Sequence, residues 1–351
     1  MGAVSAVLLE SQDIAWFRDA ESLPAAARST AAALARRIGL GEQRAAEVAL
    51  AVTEAATNLR RHAVDGSLLL RVVRTEDRAA VEFLTLDGGP GMPDIPYAMT
   101  DGTSSAGTLG IGLGAIARLA DTFDVHSLPG RGTVLAARFW AAGAAPSAAA
   151  GEPPVAGITR PISGEETCGD AWAARRVAGA GGEPDAALLV MFCDGLGHGP
   201  LAALASQAAV SAFHASRGHR PDEVLTDLHH ALRGTRGGAA AVARVDPVAR
   251  RVRYCGVGNI SGFVVGPERR HALLSAPGIV GHHMPTLRAQ EQELAPGAAL
   301  VLHSDGLTER WQVSALPGLL RHLPAVAAAV LLREAGVRRD DAGVVVAKGA
   351  W

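Results

Sequence analysis

Residues 188–199 read LLVMFCDGLGHG, a run of six apolar side chains that ends in an aspartate and a glycine-rich turn. A short apolar run bounded by turn residues is typical of a strand that is covered on both faces. We therefore expect a buried strand near residues 186–193, with Asp194 where that strand ends. The glycines after Asp194 let other backbone segments approach closely, and residues 200–216 favour a helix.

Three further aspartates stand at the end of an apolar run or beside a predicted strand. They are Asp170 in CGD, Asp305 in HSDGLTE and Asp340 in RDDAG. A single Asp-Gly pair is usually a turn. Carboxylates that gather without matching Arg or Lys repel one another, and a divalent cation is the usual remedy. Because the ligands are oxygens and no Cys/His set has zinc spacing, we expect Mn²⁺ or Mg²⁺.

The segments GEETCGD, LLVMFCDGLGHG, VGNISG, LVLHSDGLTE and DDAGVVV together resemble the SpoIIE branch of the PPM-type metal-dependent serine/threonine phosphatases. The opening CGD is similar to the RsbX type of that branch. The resemblance implies that a hydroxide bridging two metal ions attacks phosphoserine or phosphothreonine, and that Asp170 contacts a metal directly or through water. The implied metal site is completed by Asp194, the carbonyl of Gly195, Asp305 and Asp340.

Several residues of this region allow more than one interpretation. Asp340 and Asp341 are adjacent, and because strand side chains alternate, only one faces the site; the family motif aligns best with Asp340. His198 is either a general acid for the leaving serine oxygen or a loop-stabilising residue, and we favour the second role. Asn259, in VGN, is interpreted as part of a turn. No Cx₅R loop indicates a cysteine phosphatase, and Cys193 belongs to the predicted buried strand.

A polar stripe crosses the helix that is predicted over residues 42–63. Glu54, Asn58 and His62 are spaced by four, which places their side chains on one helix face. The rest of the helix is rich in Ala, Leu and Val. A solvated face is the simplest explanation of such a stripe when it is taken alone.

Two glycine-rich segments follow that helix. Residues 87–91 read DGGPG after a predicted strand, and residues 107–114 read GTLGIGLG before a predicted helix. Free N–H groups at a helix start can hold phosphate. The pattern GIGLGA also matches the dinucleotide fingerprint, but the polar residues 101–107 do not form the buried strand that this fingerprint needs. No Walker GK[ST] occurs.

In combination, ExxxN on a helix, DxGxG after a strand and GxxGxGxG before a helix resemble the GHKL (Bergerat-fold) ATPases. Within them, TEAATNLRRHA is similar to the anti-sigma-factor serine kinases of the RsbT and RsbW type. The resemblance implies that Asn58 ligates Mg²⁺, that Asp87 accepts a hydrogen bond from adenine, and that Glu54 is the general base on a protein Ser or Thr. The nucleotide-binding glycines would be Gly89, Gly91, Gly110, Gly112 and Gly114.

The length of 351 residues fits two domains. Residues 141–154 read AAGAAPSAAAGEPP, which has no amphipathic period and indicates a linker. We therefore predict an α+β protein: an N-terminal Bergerat (GHKL) α/β sandwich over residues 1–140, a linker over 141–155, and a PPM-type β-sandwich flanked by helices over 156–351.

Composition excludes several classes of partner. The net charge of −2 indicates no nucleic-acid binding. The three cysteines have no CxxC spacing, which favours a reducing compartment, and we expect the cytoplasm. No export or lipid signal is visible, and the apolar residues 313–332 are interrupted by Pro317 and Pro324, so we expect no membrane partner.

These resemblances together predict a bifunctional regulator of protein phosphorylation, with ATP and Mg²⁺ in the kinase domain and two Mn²⁺ or Mg²⁺ in the phosphatase domain. By family analogy, the substrates would be STAS-type anti-sigma-factor antagonists or stressosome-like proteins in a partner-switching system. Alternatively, the first domain is a non-catalytic, ATP-gated module that sequesters a sigma factor or regulates the phosphatase. A metabolite phosphatase is a third interpretation of the second domain.

Overall fold

The computed structural model describes residues 7–18, 21–75, 78–100, 112–141, 153–178, 187–337 and 339–348. Contacts between Cα atoms divide the chain into two compact units. We refer to Ser11–Glu152 as the N-terminal unit, and to Pro153–Trp351 together with Met1–Glu10 as the C-terminal unit. Most of the predicted linker, residues 142–152, lies outside the described residues.

The N-terminal unit contains one sheet whose strand order is β1-β2-β3-β5-β4. The pairs β2–β3, β3–β5 and β4–β5 are antiparallel. Residues 11–18 of β1 belong to this unit. The elements in chain order are β1 (Val7–Arg18), α1 (Leu23–Arg37), α2 (Glu42–His62), β2 (Ser67–Arg74), β3 (Ala79–Leu86), α3 (Ile95–Ala98), α4 (Gly112–Leu119), β4 (Thr122–Ser127) and β5 (Thr133–Trp140).

A single apolar core joins the helices of this unit to one face of its sheet. On β2, Leu68, Leu70 and Val72 enter the core at alternate positions, as the period of a strand requires. On α2, small side chains let the neighbouring helix approach. The buried positions of α2 are Ala45, Val48, Ala49, Ala51, Val52, Ala55, Ala56 and Leu59, which leave residues 54, 58 and 62 outside the fully buried face.

The C-terminal unit contains two sheets, with strand orders β13-β10-β9-β8-β7 and β12-β11-β14-β15-β6. The elements in chain order are β6 (Val155–Arg160), β7 (Asp170–Val177), β8 (Ala187–Gly195), α5 (Pro200–Ala215), α6 (Pro221–Ala231), β9 (Gly238–Asp246), β10 (Arg251–Val257), β11 (Ser261–Val265), β12 (Arg270–Leu273), β13 (Gln290–Glu293), β14 (Ala299–His303), α7 (Pro324–Ala335) and β15 (Ala342–Lys348).

Strand β8 explains the continuous apolar run of residues 188–193. Val190 and Phe192 point into the core between the two sheets, together with residues of β14 and β15. Leu189 and Met191 point the other way, into a second core that α5 and α6 cover. Because both faces are covered, the strand has no polar side to alternate. The unit is a β-sandwich flanked by helices.

Several elements differ from the sequence analysis, which did not predict α3, β6, β12 or β13. Residues 7–18 form β1, where no element was predicted. Helix α7 begins inside the stretch 313–332, which was interpreted only as interrupted by prolines, and continues to Ala335. Pro324 is the first residue of α7, a position where the missing N–H has no partner to lose. Among the helices of the described ranges, none combines the length and the apolar character needed to cross a bilayer.

Candidate functional site

Asp170 and Asp194 face each other on neighbouring strands. Asp170 is the first residue of β7, Asp194 is the penultimate residue of β8, and the antiparallel register pairs them directly. Directly paired residues on neighbouring strands have Cβ atoms about 4.5–5.5 Å apart. Asp305 follows β14 and Asp340 precedes β15, and these two strands pair in the other sheet. All four predicted carboxylates therefore lie at strand ends.

The carboxylates shift one another's pKa values. Burial, followed by the charges of Asp305, Asp340 and Asp341, raises the pKa of Asp194 to about 7. Burial and the charge of Asp194 also raise the pKa of Asp170 well above its usual value. A carboxylate whose charged form is disfavoured in this way gains from a nearby cation.

One oxygen of the Asp170 carboxylate is buried without a donor. The side chain is 4% exposed. Its Oδ2 accepts a hydrogen bond from Ser304 Oγ at 2.6 Å, whereas Oδ1 accepts none from any residue that the structure describes. A buried acceptor without a partner is costly, and a cation would satisfy it.

The chemistry of these donors fits a hard divalent cation such as Mg²⁺ or Mn²⁺, because they are carboxylate oxygens. Within the described part of the chain, no group of three His, Cys, Asp or Glu side chains lies close enough together to hold an ion as it stands. The fit therefore rests on the donor type, the unpartnered oxygen of Asp170 and the mutual repulsion of the carboxylates.

The two adjacent aspartates before β15 have different environments. Asp341 is 3% exposed. Its Oδ1 accepts the N–H of Ile162 at 2.7 Å and its Oδ2 accepts the N–H of Gly169 at 2.7 Å. Asp340 is exposed and accepts the N–H of Asp341 through Oδ1 at 2.9 Å. Asp341 thus ties the segment before Asp170 to β15, and Asp340 is the member of the pair whose carboxylate stays accessible.

The sequence analysis missed two contacts that orient carboxylates. Asn259 Nδ2 donates to Asp305 Oδ2 at 2.6 Å, although Asn259 was interpreted as a turn residue. Ser304 Oγ, which donates to Asp170, accepts the N–H of Gly343 at 3.1 Å. Hydrogen bonds to a carboxylate fix its orientation toward a cation. The available signal was an amide side chain that, like Asp305, comes two residues after a strand.

His198 lies on the loop between β8 and α5. Its Nδ1 is 3.4 Å from Glu165 Oε1, which is a contact of the loop-stabilising kind that the sequence analysis favoured. The charge of His198 also lowers the pKa of Asp340, although burial of Asp340 outweighs this effect. His198 is therefore near the carboxylates while it contacts Glu165.

Cys193 precedes Asp194 but faces the apolar core under α5 and α6. Burial, followed by the charges of Asp194 and Asp170, raises the pKa of this thiol far above its ordinary value. Since the thiolate is the nucleophilic form, Cys193 is inert packing.

In the N-terminal unit, Glu54 and Asn58 are half-buried on α2 and His62 is its exposed last residue. The side chains of Glu54 and Asn58 form no hydrogen bond or ion pair with another residue of the described ranges. Both side chains are therefore uncommitted to the fold.

The loop after β3 is held beside the end of α2. The N–H of Gly88 donates to the carbonyl of Val64 at 2.8 Å, and Asp87 Oδ1 accepts the N–H of Gly89 at 2.7 Å. Asn58 is four residues, or about 6 Å along the helix axis, before His62. A Cβ atom on Gly89 would lie 2.6 Å from the carbonyl oxygen of His62. The close packing against α2 is therefore enough to require this glycine, whether or not a nucleotide binds there.

The structure describes three of the four other predicted glycines. Gly91 has φ +66°, and a Cβ there would lie 2.1 Å from the carbonyl oxygen of Leu128. Gly112 and Gly114 begin α4, and a Cβ on Gly114 would lie 2.2 Å from the carbonyl oxygen of Met99. Gly110 lies outside the described residues.

Comparison with known proteins assigns both units. Residues 18–139 match the model of the histidine kinase-like ATPase domain, and residues 184–348 match the model of stage II sporulation protein E (SpoIIE). The serine/threonine-protein kinase RsbT of Bacillus subtilis (strain 168) is 35% identical over 115 residues, which cover 33% of this chain and 86% of RsbT. The chain therefore contains a histidine kinase-like ATPase domain that belongs to the family of RsbT, followed by a SpoIIE domain.

Two further similarities involve RsbX. The phosphoserine phosphatase RsbX of Bacillus subtilis (strain 168) is 23% identical over 145 residues, covering 41% of this chain and 69% of RsbX. A solved crystal structure of RsbX in complex with magnesium is 20% identical with a TM-score of 0.47, covering 55% of this chain and 92% of that one. The predicted α+β fold, with a GHKL domain before a PPM-type phosphatase domain, is confirmed. These domain types imply ATP and divalent metal ions as cofactors.

The substitution Asp341→Asn should lower the free energy of unfolding by about 1–3 kcal/mol, because an amide cannot accept both backbone N–H groups and leaves one unsatisfied. Urea denaturation followed by fluorescence measures this loss. The matched control is Asp340→Asn, which should change stability by less than about 0.5 kcal/mol because Asp340 is exposed. Equal losses in the two variants would contradict the role of Asp341 in accepting the N–H groups of Ile162 and Gly169.

Chelator-treated protein should become less stable as the pH rises from about 4 toward 7. The folded state raises the pKa of Asp194 to about 7, above the unfolded value of about 3.9, so the folded state holds the extra proton and loses that advantage at higher pH. Urea midpoints at pH 5 and pH 8 measure the difference. The substitution Asp194→Asn should reduce this dependence of stability on pH. An unchanged pH dependence in the variant would argue against a raised pKa of Asp194 among neighbouring carboxylates.

Proposed function

We propose that the chain is a bifunctional regulator of protein phosphorylation. The C-terminal domain would hydrolyse phosphoserine or phosphothreonine, and the N-terminal domain would transfer phosphate from ATP to a protein Ser or Thr. The proposal is carried by the facing carboxylates of the buried Asp170 and the half-buried Asp194. Their raised pKa values and the unpartnered Oδ1 of Asp170 favour a cation at the end of these two strands. Similarity to the phosphatase RsbX and to the kinase RsbT supports the two activities.

In the proposed phosphatase site, two Mn²⁺ or Mg²⁺ ions would be held by the carboxylates and by one backbone carbonyl. Such ions lower the pKa of bound water and supply hydroxide at neutral pH. The chain's own residues orient the ligands: Asn259 donates to Asp305, and Ser304 donates to Asp170. The proposed ligands are Asp170, Asp194, Gly195, Asp305 and Asp340.

In the proposed kinase site, Glu54 would accept the proton of the substrate hydroxyl, and the amide oxygen of Asn58 would bind Mg²⁺. Their position on one face of α2, without partners in the described chain, supports these roles. Asp87 would accept a hydrogen bond from the adenine amino group. The glycines proposed to surround ATP are Gly89, Gly91, Gly110, Gly112 and Gly114.

The proposed substrates are small STAS-type regulatory proteins, and a sigma factor is proposed as a further partner. This assignment rests on analogy with the anti-sigma-factor kinases and the SpoIIE branch. We propose that the activity is cytoplasmic, because the three cysteines have no CxxC spacing and favour a reducing compartment.

Protein loaded with Mn²⁺ should release inorganic phosphate from a STAS protein phosphorylated on serine, and Asp194→Ala should reduce the turnover number about 10²–10³-fold. Colorimetric phosphate release measures the rate. Glu268→Ala, which removes an exposed carboxylate from the β11–β12 turn, is the control and should retain activity. Hydrolysis of small phosphate esters without any release from the phosphoprotein would instead support a metabolite phosphatase.

Phosphate transfer to the STAS protein should be detected in the Asp194→Ala background, where the phosphatase cannot reverse it. Glu54→Gln should retain ATP binding and lose transfer about 10²–10⁴-fold, because it removes only the base. Asn58→Ala should also weaken binding of ATP with Mg²⁺. Radiolabelled ATP measures transfer, and calorimetry measures binding.

The control for this experiment is Glu42→Gln on the same helix, where the carboxylate forms an exposed pair with Arg36. It should leave transfer unchanged. ATP binding without transfer in the parent protein would refute the kinase and favour the ATP-gated binding module.

A further inference from the structure

The turn between α6 and β9 lies against the glycine-rich loop that follows Asp194. The N–H of Leu196 donates to the carbonyl of Gly237 at 3.0 Å, and the strand register pairs Gly195 with Gly238. Side chains on this turn are therefore neighbours of the proposed phosphatase site.

Arg236 extends from this turn over the loop. Its Nη1 lies 3.1 Å from the position that a Cβ atom on Gly197 would occupy. The guanidinium thus lies against the loop backbone only three residues after Asp194. Arg236 is exposed, and it makes no hydrogen bond or ion pair with any residue in the ranges that the structure describes. Its donors are therefore available to a ligand.

The turn that carries Arg236 is held rigidly. Thr235 Oγ1 donates to the carbonyl of Leu232 at 2.7 Å and accepts the N–H of Gly237 at 2.9 Å. His282 contacts the Thr235 carbonyl through Nε2 at 3.1 Å. A donor that projects from a preformed turn loses less freedom when it binds a ligand.

We propose that Arg236 binds the phosphoryl group of the substrate, an inference that rests on the proposed phosphatase function. The carboxylates of the site can hold metal ions but, when ionised, they offer no hydrogen-bond donors to a phosphate oxygen. An arginine presents paired N–H groups that match two phosphate oxygens. Arg236 supplies this missing donor pair beside the loop that carries Asp194.

Arg233 on the same turn serves as the matched control. Burial, followed by the charge of Arg233, lowers the pKa of His229 on α6. Arg233 is exposed and acts on that helix, whereas Arg236 lies against Gly197. Both residues carry a positive charge on the same turn, but only Arg236 is shown to lie against the loop that follows Asp194.

The test compares the parent protein with Arg236→Ala, Arg236→Lys and Arg233→Ala, all loaded with Mn²⁺. Arg236→Ala should weaken the binding of inorganic phosphate at least about tenfold in calorimetry, because a charge-assisted donor pair is lost. It should raise KM for the phosphoprotein more than it lowers kcat. Arg236→Lys should fall between the parent and Arg236→Ala, since lysine keeps the charge without the paired donors.

Arg233→Ala should bind phosphate as the parent does, and the thermal midpoint and Mn²⁺ affinity of Arg236→Ala should match those of the parent. Phosphate affinities within twofold between the parent and Arg236→Ala would overturn the assignment, as would a parent that binds no phosphate. Phosphate binding does not require turnover. A parent that binds phosphate through Arg236 but hydrolyses no phosphoprotein would refute only the proposed function.

Discussion

The buried carboxylate of Asp341 is the contact on which the candidate phosphatase site depends. It accepts N–H groups of Ile162 and Gly169, at the two ends of the segment that leads from β6 in one sheet to β7 in the other. The bond from Ser304 to Asp170 joins the same two sheets at the same end. Two polar contacts, both with carboxylates, therefore set the position of Asp170 opposite Asp194. A shift of β7 by one residue would turn Asp170 to the other face of the sheet.

The glycines that follow Asp194 and Asp305 are required by close backbone packing, independently of any ligand. A Cβ atom on Gly195 would lie 2.2 Å from the carbonyl oxygen of Ala202, and one on Gly306 would lie 1.9 Å from the carbonyl oxygen of Asp341. Each Asp-Gly pair thus marks a place where a second backbone segment passes very close to a strand end. Repulsion among the carboxylates destabilises the fold. The apolar cores on both faces of the sheet that contains β8 offset this cost.

Local patterns predicted a large part of this architecture, and their failures have identifiable causes. The apolar run before Asp194 indicated a strand covered on both faces, and β8 has that environment. Pro324 was interpreted as a helix breaker because its position relative to a helix start is not evident from composition. The roles of Asp340 and Asp341, and the bond from Asn259 to Asp305, depend on segments far apart in the chain, which no local period reveals.

The separation of Asp341 from Ile162 by 179 residues has a consequence during protein synthesis. Strand β6 pairs with β15 alone in its sheet, so β6 has no strand partner until the ribosome has delivered residues up to Lys348. An unpaired strand edge of this kind attracts other chains and chaperones. Contacts between such distant segments also slow folding. A nascent chain would therefore gain its ATPase fold well before its phosphatase site, and newly made molecules would pass through a period in which only one of the two domains is assembled.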